Sequence, residues 1–330
     1  MAYRLKNKES ISTEIKRIAC EQTDKAIENL TTEIRIASDN NTDWSADTNI
    51  VEERQEAIHD VRKRIKKIRA VIRLVRDDLG KEIYQQENHC FRDAGRRLSE
   101  VRDAQVLLET FNKLEKHFAE FINPEGFGDL QRILVEHHQS TCKQVLESEN
   151  SVVEVLADVK NARERISNWS LKSVNSQSIL SNGFHRVYKR GYQACQSILE
   201  SEQPTVENFH DWRKRVKYLW YHLRIMRPIW SDLIKEWTNQ TKQLSEYLGD
   251  DHDLAVLHEF INNQQEILNN QAELEVLNSL INRRRKQLQS AAKSLGERIY
   301  VESPDLFVNR IKAYCQIWLN SFDRNISMAI

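Results

Sequence analysis

The stretch HDVRKRIKK at 59–67 recurs almost unchanged as HDWRKRVKY at 210–218, 151 residues later. A second matched pair, RDAQVL at 102–107 and HDLAVL at 252–257, is separated by 150 residues. Two motifs repeated at nearly the same offset indicate a duplicated structural unit, and such repeats constrain the fold more strongly than any local pattern.

The composition favours long helices. Only 8 glycines and 4 prolines occur in 330 residues, so few turns interrupt the chain. Apolar residues recur at spacings of three and four, and no segment shows the strict alternation of a strand. We therefore predict an all-α fold built from two repeated bundles of about four helices each. The predicted boundaries are a first helical repeat at 1–150, a linker helix at 151–173 and a second helical repeat at 174–330.

The overall charge and the cysteines limit the possible functions and the cellular compartment of the protein. The 49 basic residues equal the 49 acidic ones, so any anion-binding role must rest on where the charges lie. Five scattered cysteines without a C-x-x-C motif disfavour a disulfide framework or a zinc ribbon. No apolar run approaches the roughly 18–20 residues of a membrane span, and the start has no apolar signal region. We predict a cytoplasmic protein without a membrane partner.

On an ideal helix, the cations and the histidine of each basic motif share one face. At about 100° per residue they fall within an arc of about 120°, beside an apolar stripe. In the first copy these residues are His59, Arg62, Lys63, Lys66, Arg69 and Arg73. In the second copy they are His210, Arg213, Lys214, Lys217 and Arg224. Trp220 takes the position that Arg69 has in the first copy, and Asp60 and Asp211 point outside both stripes.

A run of charge is most often a solvated helix face, and a single copy would leave that interpretation open. A solvated face normally mixes signs, because opposite charges one turn apart stabilise a helix. Arg62, Lys66 and Arg73 instead follow one another with no acid between them. The same unpaired stripe in both halves favours an anionic partner. Further cations extend the pattern and complete the predicted anion site: Arg17, Arg92, Arg102, Arg190 and Lys242.

His59 and His210 lie in the cationic arc, where they can donate hydrogen bonds to anionic oxygens. Neither has a second potential ligand four residues later, and their neighbours are cations that would repel a metal. The acidic cluster DDHD at 250–253 corresponds to EVRD at 100–103, where arginine replaces the histidine. We therefore predict no metal and no cofactor, and expect Asp103 and Asp253 to pair with basic residues.

The basic run RRRK at 283–286 has no counterpart in the first half. We interpret it as a solvated helix face outside the repeated pattern.

At this point the motifs resemble a known family. The first basic motif with LSEVRDAQVL (98–107) resembles the first half of the CHAD family, the conserved histidine α-helical domain. FHDWRKRVKYLWY (209–221) and LSEYLGDDHDLAVL (244–257) resemble its second half, and RIYVESPDLFVNRIKAYCQIWL (298–319) resembles its end. The resemblance covers nearly the whole chain.

The resemblance implies two four-helix bundles related by pseudo-twofold symmetry, whose basic faces meet at a shared cleft or pore. It also implies binding of inorganic polyphosphate, and granules of that polymer are a further expected partner. Ser99 stands where the family usually has the glycine seen at Gly249, and Trp220, Lys66 and Lys67 replace common arginines. These departures affect individual contacts. Polyphosphate offers charge without bases, so it requires many cations and few aromatic stacking platforms.

The sequence also leaves two other functions open. The first, binding of single-stranded nucleic acid, is disfavoured because Trp220 is the only motif tryptophan in the cationic arc. The second is a metal-dependent phosphohydrolase that uses His59 or His210 as acid or base. No glycine-rich phosphate loop or pair of carboxylates marks a catalytic site for it. The sequence therefore predicts a protein that binds polyphosphate and is not an enzyme.

Overall fold

The computed structural model describes residues 3–6, 9–39, 48–120, 127–147, 149–171, 176–264 and 271–327. Within these ranges the chain forms twelve α-helices, one 3₁₀ turn and no strand, which confirms the all-α class. The helices are α1 (Ile11–Asp39), α2 (Thr48–Leu74), α3 (Arg76–Leu79), α4 (Lys81–Arg97), α5 (Glu100–His117), α6 (Gly128–Glu147), α7 (Glu149–Ser167), α8 (Ser176–Glu200), α9 (Val206–Met226), α10 (Ser231–Asn263), α11 (Gln271–Ile299) and α12 (Pro304–Ser327). The pseudo-twofold relation between two bundles stays a prediction.

Buried apolar side chains form two clusters. The larger joins α1, α2, α4 and α7 to α8, α9, α12 and the beginning of α10. The smaller joins α5 and α6 to the end of α10 and to α11, through residues such as Phe111, Leu134, Leu257 and Ile281. Each cluster therefore draws on both halves of the chain. The boundaries at 150 and 173 stay a prediction about sequence repetition, and the expected linker corresponds to α7, which packs on α1 and α4.

The sequence suggests one helix over about 81–121, but the structure breaks it at Leu98 and Ser99 into α4 and α5. The corresponding helix of the second half, α10, runs uninterrupted through Gly249. The helices on the two sides of the break pack against different neighbours. α4 packs on α2 and α7, whereas α5 packs on α6 and α10.

The two basic helices, α2 and α9, are in direct contact, and a side chain of α9 bonds to the backbone of α2. The fully buried ring of His222 on α9 donates from Nε2 to the carbonyl oxygen of Ala70 on α2, at 2.8 Å. Gly183 of α8 lies so close to α2 that an added Cβ would stand 1.8 Å from the carbonyl oxygen of Leu74. These contacts fix α2 against α8 and α9 and so determine which cations meet.

We expect Gly183→Ala to lower the free energy of unfolding by about 1–3 kcal/mol, because the new methyl group would overlap a backbone carbonyl that cannot move independently. Gly128→Ala is the control, since an added Cβ at Gly128 has no heavy atom within 4 Å. It should change the free energy by less than about 0.5 kcal/mol. Urea unfolding followed by circular dichroism measures both, and equal effects would contradict the close packing of α8 on α2.

Candidate functional site

Each basic helix contributes one arginine that is held by an aspartate of the next repeated motif. Arg62 Nη2 lies 3.5 Å from Asp103 Oδ1, and Arg213 Nη2 lies 4.0 Å from Asp253 Oδ1. The two contacts join equivalent positions of the two repeats. They confirm the expectation that Asp103 and Asp253 pair with basic residues.

The helix break described above gives Arg62 a second anchor. The N–H of Ser99 bonds to the carbonyl oxygen of Arg96 at 3.0 Å, so the carbonyl of Gly95 does not receive the donor that a continuous α-helix would provide. Arg62 Nη1 donates to that Gly95 oxygen at 3.1 Å. Arg62 is therefore fixed at both terminal nitrogens by neutral and acidic acceptors of α4 and α5.

A lysine follows each of these arginines by one helical turn, Lys66 on α2 and Lys217 on α9. The pKa of Lys66 is lowered to about 8, first by its dense surroundings and then by the charges of Arg62, Lys217 and Arg213. The pKa of Lys217 is lowered to about 8 by burial and then by Arg213, while Glu246 acts in the opposite direction. The side chain of Lys66 is nevertheless exposed to solvent.

We call Arg62, Lys66, Arg213 and Lys217 the cationic cluster. Within the described residues, no carboxylate lies within ion-pairing distance of Lys66 or Lys217, and the only ion pairs of the two arginines are those to Asp103 and Asp253. The structure therefore brings the basic stripes of the two repeats together.

Two other predicted cations are already neutralised. Lys63 Nζ lies 2.9 Å from Asp60 Oδ1, and Lys214 Nζ lies 3.4 Å from Asp211 Oδ1. Both aspartates are outside the basic stripe on a helical wheel, but the long lysine chain reaches back across one turn. Lys63 and Lys214 thus differ in availability from Lys66 and Lys217, three residues further along each helix.

Each motif histidine is close to the residue that opens the second motif of its repeat, namely His252 for His210 and Arg102 for His59. The rings of His210 and His252 have centroids 4.3 Å apart, and Nδ1 of each is buried without a hydrogen-bond partner in the described part of the chain. Burial and then neighbouring cations lower the pKa of His210, and lower that of His252 to about 4. The pKa of His59 is likewise lowered to about 4, with Arg102 among the causes after burial. His59 and His252 are therefore neutral at pH 7.

The remaining predicted cations outside the basic helices are mostly engaged by acids. Arg102 donates to both carboxylate oxygens of Glu109 at 2.8 and 3.0 Å. The other pairs are Arg17 with Glu14 and Glu21, Arg92 with Asp93, and Lys242 with Glu246. A role for these residues in binding an anion stays a prediction, and it would require exchange of these carboxylates.

Five arginines from four helices surround two tyrosines in what we call the arginine pocket. Its members are Arg73, Arg76, Arg186, Arg190 and Arg215, with Tyr84 and Tyr218. The guanidinium of Arg73 lies 4.5 Å over the ring of Tyr218, and that of Arg76 lies 4.6 Å over the ring of Tyr84. The pKa of Arg190 is lowered by burial and then by the other arginines. The structure thus brings predicted Arg73 and Arg190 together.

Sequence reasoning missed the other members of the arginine pocket. The spacing of Arg186 to Arg190, one helical turn, was a usable signal. No sequence signal pointed to Tyr84 and Tyr218, because aromatic residues at helical spacing usually belong to a core. Arg69, another predicted site residue, lies beside Tyr218 and Arg73. Burial is the main cause that lowers its pKa.

Trp220 does not offer a free aromatic face. The ammonium of Lys217 lies 4.6 Å from the centroid of its ring, and the guanidinium of predicted Arg224 lies 4.9 Å from it. Trp220 therefore contacts two cations of the predicted site through its ring.

The acidic cluster at 250–253 has a structural role. Asp250 lies 3.8 Å from Lys113, and buried Asp251 accepts hydrogen bonds from Arg285 at 3.0 Å and Gln289 at 2.9 Å. Arg285 is mostly buried, which corrects the interpretation of 283–286 as a wholly solvated face. No group of three His, Cys, Asp or Glu residues suited to a metal occurs in the described residues.

A family model described as the CHAD domain matches residues 35–262, which is more than half of the chain. The chain belongs to the CHAD family. The match extends from α1 into α10 and so includes both basic helices and both arginine–aspartate contacts. A comparison with curated proteins finds no match. None of the helices in the described parts of this CHAD chain combines the length and apolar character that a membrane span needs.

A groove with a volume of about 1010 Å³ lies beside His59 of α2 and Arg102 of α5. It differs from the cationic cluster in charge. Its walls carry four glutamates, namely Glu52, Glu56, Glu109 and Glu136. Groove size alone would therefore misplace an anion site in this protein.

The free energy of unfolding should fall as the pH is lowered from about 6.5 towards 4. Burial lowers the pKa of His222 to about 4 against the influence of its Ala70 hydrogen bond, and Arg186 and Arg73 act in the same direction as burial. The unfolded chain therefore binds a proton at a higher pH than the folded chain does, so stability is full above pH 6.5 and is lost below it.

His222→Gln keeps a donor for the carbonyl of Ala70 but does not titrate. Between pH 6 and 5 it should reduce the slope of unfolding free energy against pH by up to about 1.4 kcal/mol per pH unit, the contribution of one proton. Denaturant unfolding at several pH values gives this slope. An unchanged slope would show that His222 is not held neutral in the fold.

Proposed function

We propose that this CHAD protein binds inorganic polyphosphate without catalysis, on the surface where α2 and α9 meet. The observation that carries the proposal is the contact between the two basic helices, α2 and α9. Among the described residues, no carboxylate lies within ion-pairing distance of Lys66 or Lys217. Membership of the CHAD family supports the same ligand, since that domain is associated with polyphosphate binding. The proposal places the protein, and any polyphosphate granule it contacts, in the cytoplasm.

The arginines of the cluster suit a chain of phosphates. Arg62 and Arg213 each lie near an aspartate, and each keeps N–H groups that can donate to non-bridging oxygens. Paired donation of this kind is the strong mode of arginine–phosphate recognition. The two lysines add mobile point charges, and release of counterions from the polymer contributes much of the affinity.

Extension of the site in two directions suits a polymer better than a single phosphate. The arginine pocket begins at Arg73, two turns beyond Lys66 on α2. Arg224 lies two turns beyond Lys217 on α9. A flexible polyanion can contact the cationic cluster and either extension at once, and each additional contact adds to binding without requiring a defined sequence or shape.

The nucleic-acid alternative has less support. Base recognition by single-strand binders relies on exposed aromatic faces, and Trp220 is covered by Lys217 and Arg224. Titration with single-stranded DNA of matched charge at physiological salt separates the two ligands. Tighter binding of DNA than of polyphosphate would favour the alternative function.

We expect Lys66→Gln with Lys217→Gln to weaken polyphosphate binding at least about tenfold, roughly 1.4 kcal/mol, because two uncompensated charges are lost at the centre of the site. The matched control is Lys63→Gln with Lys214→Gln, which removes two ion-paired lysines from the same helices. Fluorescence titration with long-chain polyphosphate gives both affinities. Equal losses in the two variants would mean that the attraction is diffuse.

The same titrations at several salt concentrations provide a second measure. The slope of log affinity against log salt should become shallower by about 1.4 in the Lys66 and Lys217 variant, about 0.7 for each lost contact with a single-stranded polyanion. Incubation of the complex with magnesium or manganese tests catalysis. Release of orthophosphate would replace the binding function with a phosphohydrolase.

Polyphosphate affinity should fall as the pH rises from 7 to 9, because Lys66 and Lys217 have pKa values of about 8 in the free protein and the polyanion binds their charged form. Lys66→Arg with Lys217→Arg keeps the charge through this range and should remove most of the dependence. Calorimetry in buffers of different ionisation enthalpy reports the linked proton uptake. A dependence that persists in the arginine variant would assign the titration to other groups.

A further inference from the structure

The arginine pocket encloses a small cavity lined by its five arginines and two tyrosines. The cavity has a volume of about 20 Å³, which admits one compact group but not a length of polymer. The side chain of Arg190 is exposed to solvent, so the cavity opens at that residue. A ligand that fills it is therefore a small molecule or the end of a chain.

Positive charge exceeds negative charge around this cavity. Arg186 is paired with Asp77, and Arg215 Nη2 lies 3.1 Å from Asp211 Oδ2. The other three arginines of the pocket have no carboxylate within ion-pairing distance among the described residues. The two aspartates thus offset only two of the five guanidinium charges, and the remainder suits an anion with more than one negative charge.

Several hydrogen-bond donors of the pocket lack acceptors. Arg73 Nε and Arg186 Nη1 are buried and have no hydrogen-bond partner in the described part of the chain. Arg73 Nη1 donates to Tyr84 Oη at 3.4 Å, and the hydroxyl keeps its own proton for a further acceptor. A buried N–H group without an acceptor is unfavourable. A ligand with several acceptor oxygens would pair these donors.

We propose that the arginine pocket binds the terminal phosphate group of a linear polyphosphate and so recognises the end of the chain. The inference rests on the proposed function and adds a direction to it, since the end lies in the pocket and the chain runs towards the cationic cluster. Lys66 and Arg73 are seven residues apart, about 10 Å along α2. A short chain that starts in the pocket can therefore contact the cluster as well.

A terminal phosphate differs from an internal one in charge and in shape. It carries about two negative charges above its second pKa of about 6, against about one for an internal group, and it presents three non-bridging oxygens. The N–H pairs of a guanidinium group match two such oxygens. Arg73 lies over the ring of Tyr218 and Arg76 over that of Tyr84, which limits the movement of both guanidinium groups.

Two short polyphosphates of equal charge separate the effect of chain ends from that of charge. Linear tetraphosphate has free ends, cyclic hexaphosphate has none, and each carries about six negative charges at pH 8. Calorimetric titration of the full chain at low salt gives both affinities. We expect the linear compound to bind at least about tenfold more tightly, because only a terminal group can fill the pocket. Equal affinities, or no measurable binding of the linear compound, would overturn the inference.

Arg190→Gln tests the pocket itself, because Arg190 is exposed and has no ion pair among the described residues. It should weaken binding of linear tetraphosphate at least about fivefold and that of cyclic hexaphosphate less than about twofold. Lys189→Gln is the matched control, since Lys189 is an exposed neighbour on α8 that does not line the pocket. It should change both affinities by less than about twofold. Equal losses of linear tetraphosphate in the two variants would show that the attraction is diffuse and overturn the assignment.

The phosphorus NMR spectrum of linear tetraphosphate resolves the terminal groups from the internal ones. When the protein is added, the terminal resonance should shift or broaden more than the internal resonance. Arg76→Gln, a pocket variant from a different helix, should reduce that difference. A larger effect on the internal resonance, or a difference that Arg76→Gln leaves unchanged, would contradict binding of the chain end in this pocket.

Titration of the unaltered protein with long-chain polyphosphate separates this inference from the proposed function. Binding of long chains without a preference for the linear over the cyclic short compound overturns only the recognition of chain ends. The preference without binding of long chains overturns only the proposed function and leaves the pocket as a site for short linear phosphates.

Discussion

The contact between α2 and α9 sets like charges against each other, and the surrounding structure holds them there. The opposite faces of both helices are buried apolar surfaces, with Val61, Ile65 and Ile68 on α2 and Val216 and Leu219 on α9 almost inaccessible to solvent. Burying one such side chain contributes roughly 1.5–3 kcal/mol, whereas repulsion between exposed cations is screened by water and salt. Burial of the apolar faces, and not neutralisation by nearby acids, therefore holds these cations close to one another.

Acidic partners divide the cations of the two basic helices into classes that a helical wheel cannot distinguish. Lys63 and Lys214 are neutralised within one turn, and Arg62 and Arg213 lie near aspartates of α5 and α10. Lys66 and Lys217 have no carboxylate within ion-pairing distance among the described residues. Negative charge thus lies near the two arginines and neutralises Lys63 and Lys214. It is kept away from the point where the two repeats meet, which concentrates positive potential there.

The sequence predicted the features that depend on local periodicity. The helical class and the shared face of Arg62, Lys66 and Arg73 follow from a 3.6-residue repeat, and the family followed from the paired motifs. Features that depend on how helices cross could not be predicted from the sequence. The proximity of Lys66 to Lys217 requires the α2–α9 contact between residues 151 apart in the chain. The arginine pocket similarly needs four helices to converge, and no spacing along the chain records that.

The interruption at Ser99 has a consequence for how the molecule comes apart. Because α4 and α5 separate there, the first half supplies side chains to two different cores, and Phe111 and Leu134 find their apolar neighbours Leu257 and Ile281 in the second half. Neither half can be removed without exposing such a surface to water. The halves, alike in sequence, therefore melt as one cooperative unit, and thermal unfolding should give a single transition in which α2 and α9 lose their mutual position only when both cores open.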